Sequence, residues 1–234
     1  MTDFTIVHAG EFAAADLHAA NLAAFADYVA GPIQMTLDQW PSFVGRQGID
    51  LARSRVAVRD GAIVSFALAS PRPEVGRWRL AGMGALPAAR GTGAAPALLA
   101  VFLARAKAEG MAHVELECFA ANERALRLYH GHGFEVVCAL NGWKLPAAGA
   151  APARDALPRG VHELDRATAF AWLADANRRI PWLQFQVTDR CQAAQVRPLS
   201  FWQCGSALLL FSVVEGTPTP IHVLVDLDPA QRDA

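Results

Sequence analysis

Residues 90–99 read RGTGAAPALL, and they join a predicted strand to a leucine-rich helix. The first N–H groups of a helix have no intrahelical partner, and the helix dipole favours negative charge beside them. Glycine and alanine let a ligand come close to the backbone, and Pro96 fits the first turn of a helix. The stretch therefore predicts a binding site for an anion such as a pyrophosphate.

The loop by itself does not identify the ligand. It is neither GxxxxGK[ST] nor GxGxxG, the two common nucleotide-binding spacings. A glycine-rich turn with a purely structural role is therefore an equal alternative at this point.

Composition restricts the class of protein. The 234 residues are 53% hydrophobic and 18% charged, which is typical of a globular chain that can bury a core without disulfides or metals. A net charge of −1 gives no basic surplus for nucleic acid. The start MTDFTIV lacks the features of a secretory signal, and the longest apolar runs are too short to span a bilayer. The four cysteines lack metal-ligand spacing, so we expect reduced thiols, no metal ion, no membrane partner and a cytoplasmic location.

Hydrophobic periodicity predicts strands that alternate with helices. The Asp60-Gly61 pair between two apolar runs is a strong signal for a tight hairpin turn. The predicted elements are strand 4–9, helix 13–26, hairpin 55–70, strand 77–86, helix 97–109, strand 113–119, a helix from Glu123 capped by Asn122, and strand 133–140.

Two motifs together indicate a family. Arg90 to Ala95 fits [RQ]-x-x-G-x-[GA], and residues 122–134 fit N-x-x-A-x-x-x-Y-x-x-x-G-F, from Asn122 through Tyr129 to Phe134. The combination resembles the GNAT superfamily of acyl-CoA-dependent N-acyltransferases over roughly residues 4–144. The resemblance implies an α/β fold with a mixed, mostly antiparallel central sheet flanked by helices.

The resemblance also implies acetyl-CoA as the co-substrate. Its pyrophosphate would lie on the loop amides, and its acetyl and pantetheine groups on the backbone of the preceding strand. The Arg90 side chain would either help or point to solvent, and Asn122 would lie near the cofactor, cap a helix, or do both. Gly82 and Gly84 would reflect the close approach of this ligand or a β-bulge. The implied binding residues are Met83, Ala85, Leu86, Arg90, Gly91, Thr92, Gly93, Ala94, Ala95 and Asn122.

For catalysis, the resemblance assigns Tyr129 as the general acid that protonates the departing thiolate, with packing as the alternative. Many members of the family carry a glutamate on the strand before the loop, but residues 75–89 contain no Asp, Glu or His. Glu117 is the candidate base instead. Glu115 and Glu117 alternate with apolar residues, so both carboxylates would lie on one face, and the alternative is a solvated or helix-paired face.

The acceptor is expected to be a small-molecule or peptide amine. Tyr28, Gln34 and Asp38 lie in the region that usually forms the acceptor pocket. A homodimer is suggested by the family alone. The missing strand carboxylate leaves a second hypothesis open, a non-catalytic module that binds acyl-CoA or another protein.

The chain is expected to divide into a catalytic domain at 1–145, a linker at 146–160 rich in alanine, proline and glycine, and a unit at 161–234. The last unit echoes the start of the first, and P-x-x-R recurs at 229–232. We interpret it as a partial second GNAT-like repeat, a smaller half-domain; the alternative is an unrelated small cap.

Overall fold

A computed structural model describes residues 3–137, 139, 157, 159–179, 199–212 and 221–226. These residues fall into two compact units, with the boundary between Val136 and Val137. The predicted linker lies almost entirely outside the described residues.

The first unit is a five-stranded sheet flanked by helices. Its strand order is β1-β2-β3-β4-β5, and every neighbouring pair is antiparallel except the parallel pair β4–β5. The elements are β1 (Thr5–His8), α1 (Ala14–Ala24), α2 (Trp40–Arg46), β2 (Arg55–Arg59), β3 (Ala62–Arg72), β4 (Arg77–Ala85), α3 (Ala94–Ala108), β5 (His113–Glu115) and α4 (Glu123–His130). The predicted fold class is confirmed.

Helices cover both faces of this sheet, which explains why β3 is buried along nearly its whole length. On one face, Leu98 and Phe102 of α3 pack in a cluster with Trp78 of β4. On the other face, the cluster joins α1 and α2 to β2 and β3. The predicted hairpin is also confirmed: Asp60 and Gly61, with φ of 51° and 77°, form the turn between β2 and β3.

The helix after the glycine stretch begins earlier than predicted. It starts at Ala94 rather than Ala97, with Gly93 as its N-cap, and ends at Ala108. Small residues without apolar periodicity hid these first residues of the helix from the pattern analysis.

One predicted strand is shorter than expected, and the described part of another does not form a strand. β5 ends at Glu115 rather than at residue 119, and residues 134–137 form no strand. Alternating apolar residues predict a half-buried strand, but Val136 and Val137 are 72% and 67% exposed. A strand needs a hydrogen-bonding partner as well as the right pattern, and the sequence pattern cannot supply that partner.

The second unit is an antiparallel sheet of order β6-β7-β8-β9 with one helix. Its core contains Leu173, Phe201, Leu208 and Leu210. The elements are β6 (Val161–Glu163), α5 (Arg166–Arg179), β7 (Ser200–Cys204), β8 (Ala207–Phe211) and β9 (Ile221–Asp226). The repeat stays a prediction, and its P-x-x-R segment at 229–232 lies outside the described residues.

Candidate active site

The glycine stretch forms an open turn at the start of α3. Gly91 and Gly93 have φ of +81° and +88°, in the left-handed region that favours glycine. An added Cβ at either glycine would meet nothing within 4 Å, so the conformation rather than crowding requires glycine. Among the described residues, no partner accepts a hydrogen bond from the N–H groups of Gly91, Gly93, Ala94 and Ala95. Such a set of donors at a helix N-terminus fits a diphosphate.

The side chains of Thr92 and Arg90 support this turn by hydrogen bonds to backbone carbonyls. The Thr92 hydroxyl donates to the Ala89 carbonyl at 2.7 Å. Arg90 donates to the carbonyls of Ala24 at 3.2 Å and Ala85 at 3.3 Å, and forms an ion pair with Asp27. The hydrogen bond from Arg90 lowers the pKa of the Asp27 carboxyl. Arg90 is therefore partly buried and braces the loop against α1 and β4.

The strand before the loop separates from its neighbour. The β4–β5 pairing stops at Arg79 and Glu115, whereas β4 continues to Ala85. Leu86 N–H donates to Val64 O at 2.9 Å, and hydrogen bonding alternates along an antiparallel pair. The N–H groups of Met83 and Ala85 therefore point to the side away from β3, into the gap. This is the backbone position that the sequence analysis assigned to the acyl group.

Leu86 does not share this position. Its N–H is bonded to Val64 and its carbonyl accepts from Ala89 N–H at 2.8 Å. Both main-chain groups of Leu86 are used within the protein, so its predicted contact with the cofactor has less support than those of Met83 and Ala85 and stays a prediction.

Close packing against neighbouring side chains requires glycine at position 84. A Cβ on Gly84 would lie 2.8 Å from Ala24 Cβ and 2.9 Å from Phe66 Cζ, so α1 could not pack as it does on β4. The predicted bulge is present, because the register against β3 shifts between Gly82 and Leu80. The close approach of a ligand, which is compatible with the bulge, stays a prediction.

Asn122 joins two parts of the site. Its side-chain oxygen accepts the Ala125 N–H at 3.2 Å and caps α4, as one of the predicted alternatives required. The same side chain hydrogen-bonds with Tyr28, which follows α1 in the chain. The Tyr28 ring packs edge-on against Phe25 at 4.9 Å and Phe119 at 5.7 Å, measured between centroids.

Tyr129 lies on α4, half-buried, with its ring 5.8 Å from that of Phe134. Burial raises the pKa of the Tyr129 phenol well above its usual value, and Cys118 and Tyr28 raise it further. Burial and then Cys118 also raise the pKa of Tyr28, against an opposing effect of Asn122. Burial alone raises the pKa of the Cys118 thiol. The cluster therefore keeps both phenols neutral over a wider pH range than a free tyrosine.

Both tyrosines of the chain are in this cluster, which makes its titration observable. We expect both phenols of the folded protein to ionise above pH 10, the usual pKa of tyrosine. Because the folded pKa values are raised, their contribution to stability is full below pH 10 and is lost as the pH rises through them. A tyrosinate absorbance titration checks this, with the urea-unfolded chain as control. A midpoint at or below pH 10 in the folded protein would contradict it.

The two candidate carboxylates form ion pairs. Arg79 contacts both oxygens of Glu117, with its Nε 2.8 Å from Oε1, and it donates to Gln47 Oε1 at 2.8 Å. Glu115 lies between Arg72 at 2.5 Å and Arg77 at 3.3 Å. The partners are arginines of β3 and β4, which neither of the predicted roles for these carboxylates included. A base role for Glu117 stays a prediction, but its pair with Arg79 does not favour that role.

Replacing Glu117 by glutamine tests the ion pair directly. Arg79 is only 11% exposed, so an unpaired guanidinium is costly there, and we expect a loss of about 1–3 kcal/mol in the free energy of unfolding. Denaturant unfolding measures this change. The control is Glu123→Gln, which breaks an exposed pair with Arg127 and should change stability by less than about 0.5 kcal/mol. Equal stability of the two variants would contradict the structural role.

The two histidines that follow Tyr129 in the chain have local hydrogen-bond partners. His130 and His132 bond through Nδ1 to the carbonyls of Phe134 and Leu128, at 3.0 and 2.8 Å. No group of His, Cys, Asp and Glu that could hold a metal ion occurs among the described residues. No helix in the described part of the chain is long and apolar enough to cross a membrane.

Sequence reasoning missed Phe119 and Cys118 as members of the site. Both follow β5, in residues predicted to be strand. Their only sequence signal was their position on the strand that precedes the Asn122 motif.

The first unit combines a mixed α/β sheet flanked by helices with a glycine turn that presents N–H donors at the start of α3. Residues 22–134 match the family model described as Acetyltransferase (GNAT) family. The first unit therefore contains a GNAT acetyltransferase domain, and the protein is an acyltransferase.

Several solved structures are similar to this chain. They include the ribosomal-protein-S18-alanine N-acetyltransferase of Escherichia coli, with 20% identity over 62% of this chain and 86% of that one, at a TM-score of 0.48. Ard1 of Thermoplasma volcanium has 20% identity over 58% and 85%, also at 0.48. The ribosomal-protein-alanine N-acetyltransferase of Brucella melitensis has 27% identity over 56% and 84%, at 0.44. Among curated proteins, no significant match was found.

Proposed function

We propose that this chain transfers an acetyl group from acetyl-CoA to a primary amine by direct attack within a ternary complex. The observation that carries the proposal is the pairing of two backbone features. Within the described part of the chain, the turn at Gly91 to Ala95 presents four N–H groups without a partner, and the gap beside β4 presents two more. The two sets are joined by one continuous segment of chain, as a long, bent acyl nucleotide would require.

Acetyl-CoA would supply the activated thioester. The loop N–H groups would bind its pyrophosphate, with charge-assisted hydrogen bonds at the positive end of the α3 dipole. The N–H groups of Met83 and Ala85 would orient the acyl carbonyl and stabilise negative charge on its oxygen. Arg90 holds the loop against Ala24 and Ala85, so it contributes by positioning.

Tyr129 would be the proton donor for the leaving thiolate. Its raised pKa keeps the phenol protonated across the physiological pH range, so the proton is available when negative charge develops on sulfur. Asn122 would position this end of the site, since it caps the helix that carries Tyr129 and also bonds Tyr28.

One observation favours a second candidate, a module that binds acyl-CoA without catalysis. The carboxylate that would deprotonate the amine, Glu117, is held by Arg79. Calorimetric titration with acetyl-CoA, followed by an assay of thiol release with added amines, separates the two. Saturable binding with amine-dependent thiol release supports the enzyme, and binding without release supports the module. The cytoplasmic location and the homodimer stay predictions.

A further inference from the structure

An aromatic surface lies next to the proton donor. Three rings form an edge-on series in which Tyr28 contacts Phe25 at 4.9 Å and Phe119 at 5.7 Å; we call these three residues the aromatic wall. Phe119 is 54% exposed, and Val29 beside Tyr28 in sequence is 49% exposed. The Phe119 carbonyl accepts the N–H of Asn122, the N-cap of the helix that carries Tyr129, at 2.8 Å, and the Tyr28 phenol helps to raise the pKa of Tyr129. An exposed apolar surface at such a place indicates a binding contact.

The wall offers carbon surface rather than a free polar group. The Tyr28 hydroxyl, its one polar group, already bonds with Asn122. An incoming ligand therefore meets the ring edges and faces of the wall, which favour apolar and aromatic partners.

Nearby carboxylates are neutralised. Asp27, Glu115 and Glu117 are each paired with arginine, and Arg124 acts on Asp27 as well. A polycationic acceptor gains little from carboxylates that arginines already compensate. Asp38, also in the segment after α1, is exposed, and its carboxylate would favour a polyamine acceptor.

We infer that the acceptor is a primary amine carried on an apolar, preferably aromatic, group that packs against Phe119 and Tyr28. The inference rests on the proposed function and deepens it by naming the class of acceptor. Because apolar contact contributes through buried area, removing the Phe119 ring should act on acceptor binding and not on the chemical step.

The test compares three primary amines as acceptors in the thiol-release assay: 2-phenylethylamine, ethanolamine and spermidine. We expect kcat/KM for 2-phenylethylamine to exceed the other two by at least tenfold. Phe119→Ser should raise KM for 2-phenylethylamine by at least tenfold, with kcat within about twofold, and leave ethanolamine unchanged. The matched control is Val136→Ser, which removes an exposed apolar side chain after α4 and should change no acceptor.

Three outcomes would overturn the inference while the proposed function stands. They are a preference for spermidine, an unchanged KM in Phe119→Ser, and no turnover of 2-phenylethylamine by a protein that binds acetyl-CoA in the calorimeter. Failure of the folded protein to bind acetyl-CoA would instead overturn the proposed function, and the inference with it. Calorimetry needs no acceptor, so the two failures are read separately.

Discussion

Replacing Gly93 by aspartate is expected to weaken acetyl-CoA binding by about 100-fold or more, close to 3 kcal/mol. Two effects act in the same direction. The new carboxylate would lie at the N-terminus of α3, where it would occupy the loop N–H groups and repel a phosphate. The φ of +88° would also strain any residue with a Cβ and distort the turn. Calorimetric titration of both proteins with acetyl-CoA measures the loss.

The control is chosen at the other end of the same helix. Gly110 has φ of +74° and open space around its Cα, so Gly110→Asp introduces the same residue with comparable backbone strain. Gly110 follows Glu109, the C-cap of α3, so it lies at the opposite end of the helix from the loop. Both variants should lose some stability, but only Gly93→Asp should lose binding. Equal losses of affinity, or an unaffected Gly93→Asp, would contradict the placement of the phosphates on this loop.

The second large effect is expected for Tyr129→Phe. Removing the phenol should lower kcat by about 10²- to 10⁴-fold, the usual contribution of a general acid, and leave the affinity for acetyl-CoA within about twofold. The ring remains to pack against Phe134, so the fold should persist. Single-turnover measurements of thiol release, with calorimetry in parallel, separate the chemical step from binding.

Tyr28→Phe provides the comparison. It removes the chain's other phenol, which already bonds with Asn122, so we expect a smaller loss than for Tyr129→Phe. If Tyr129→Phe retained full turnover, the proton donor would have to be another group. If both variants lost turnover equally, the assignment of the acid to Tyr129 alone would be wrong.

Local sequence was sufficient to predict the glycine loop and the Asn122 cap of α4. A glycine at positive φ, small residues at the mouth of a helix and an Asn followed three residues later by a helical N–H are features that depend on chain neighbours alone. Asn122 could therefore be assigned as a helix cap before any fold was known, whereas the start of α3 was predicted three residues too late and Gly93 was not assigned as its N-cap. The hairpin turn at Asp60-Gly61 was predictable for the same reason.

The roles of Arg90, Glu117 and Gly84 could not be read in this way, because each depends on a partner distant in sequence. Arg90 finds Asp27, 63 residues away, and Glu117 finds Arg79, 38 residues away. Gly84 is glycine because α1 brings Ala24 against it. By itself, then, the sequence determined the GNAT domain, the glycine turn before α3 and the cap of the helix that carries Tyr129. Only the tertiary structure decided which charged side chains are already paired and which rings form the aromatic wall, because pairing and burial follow from chain folding and not from spacing.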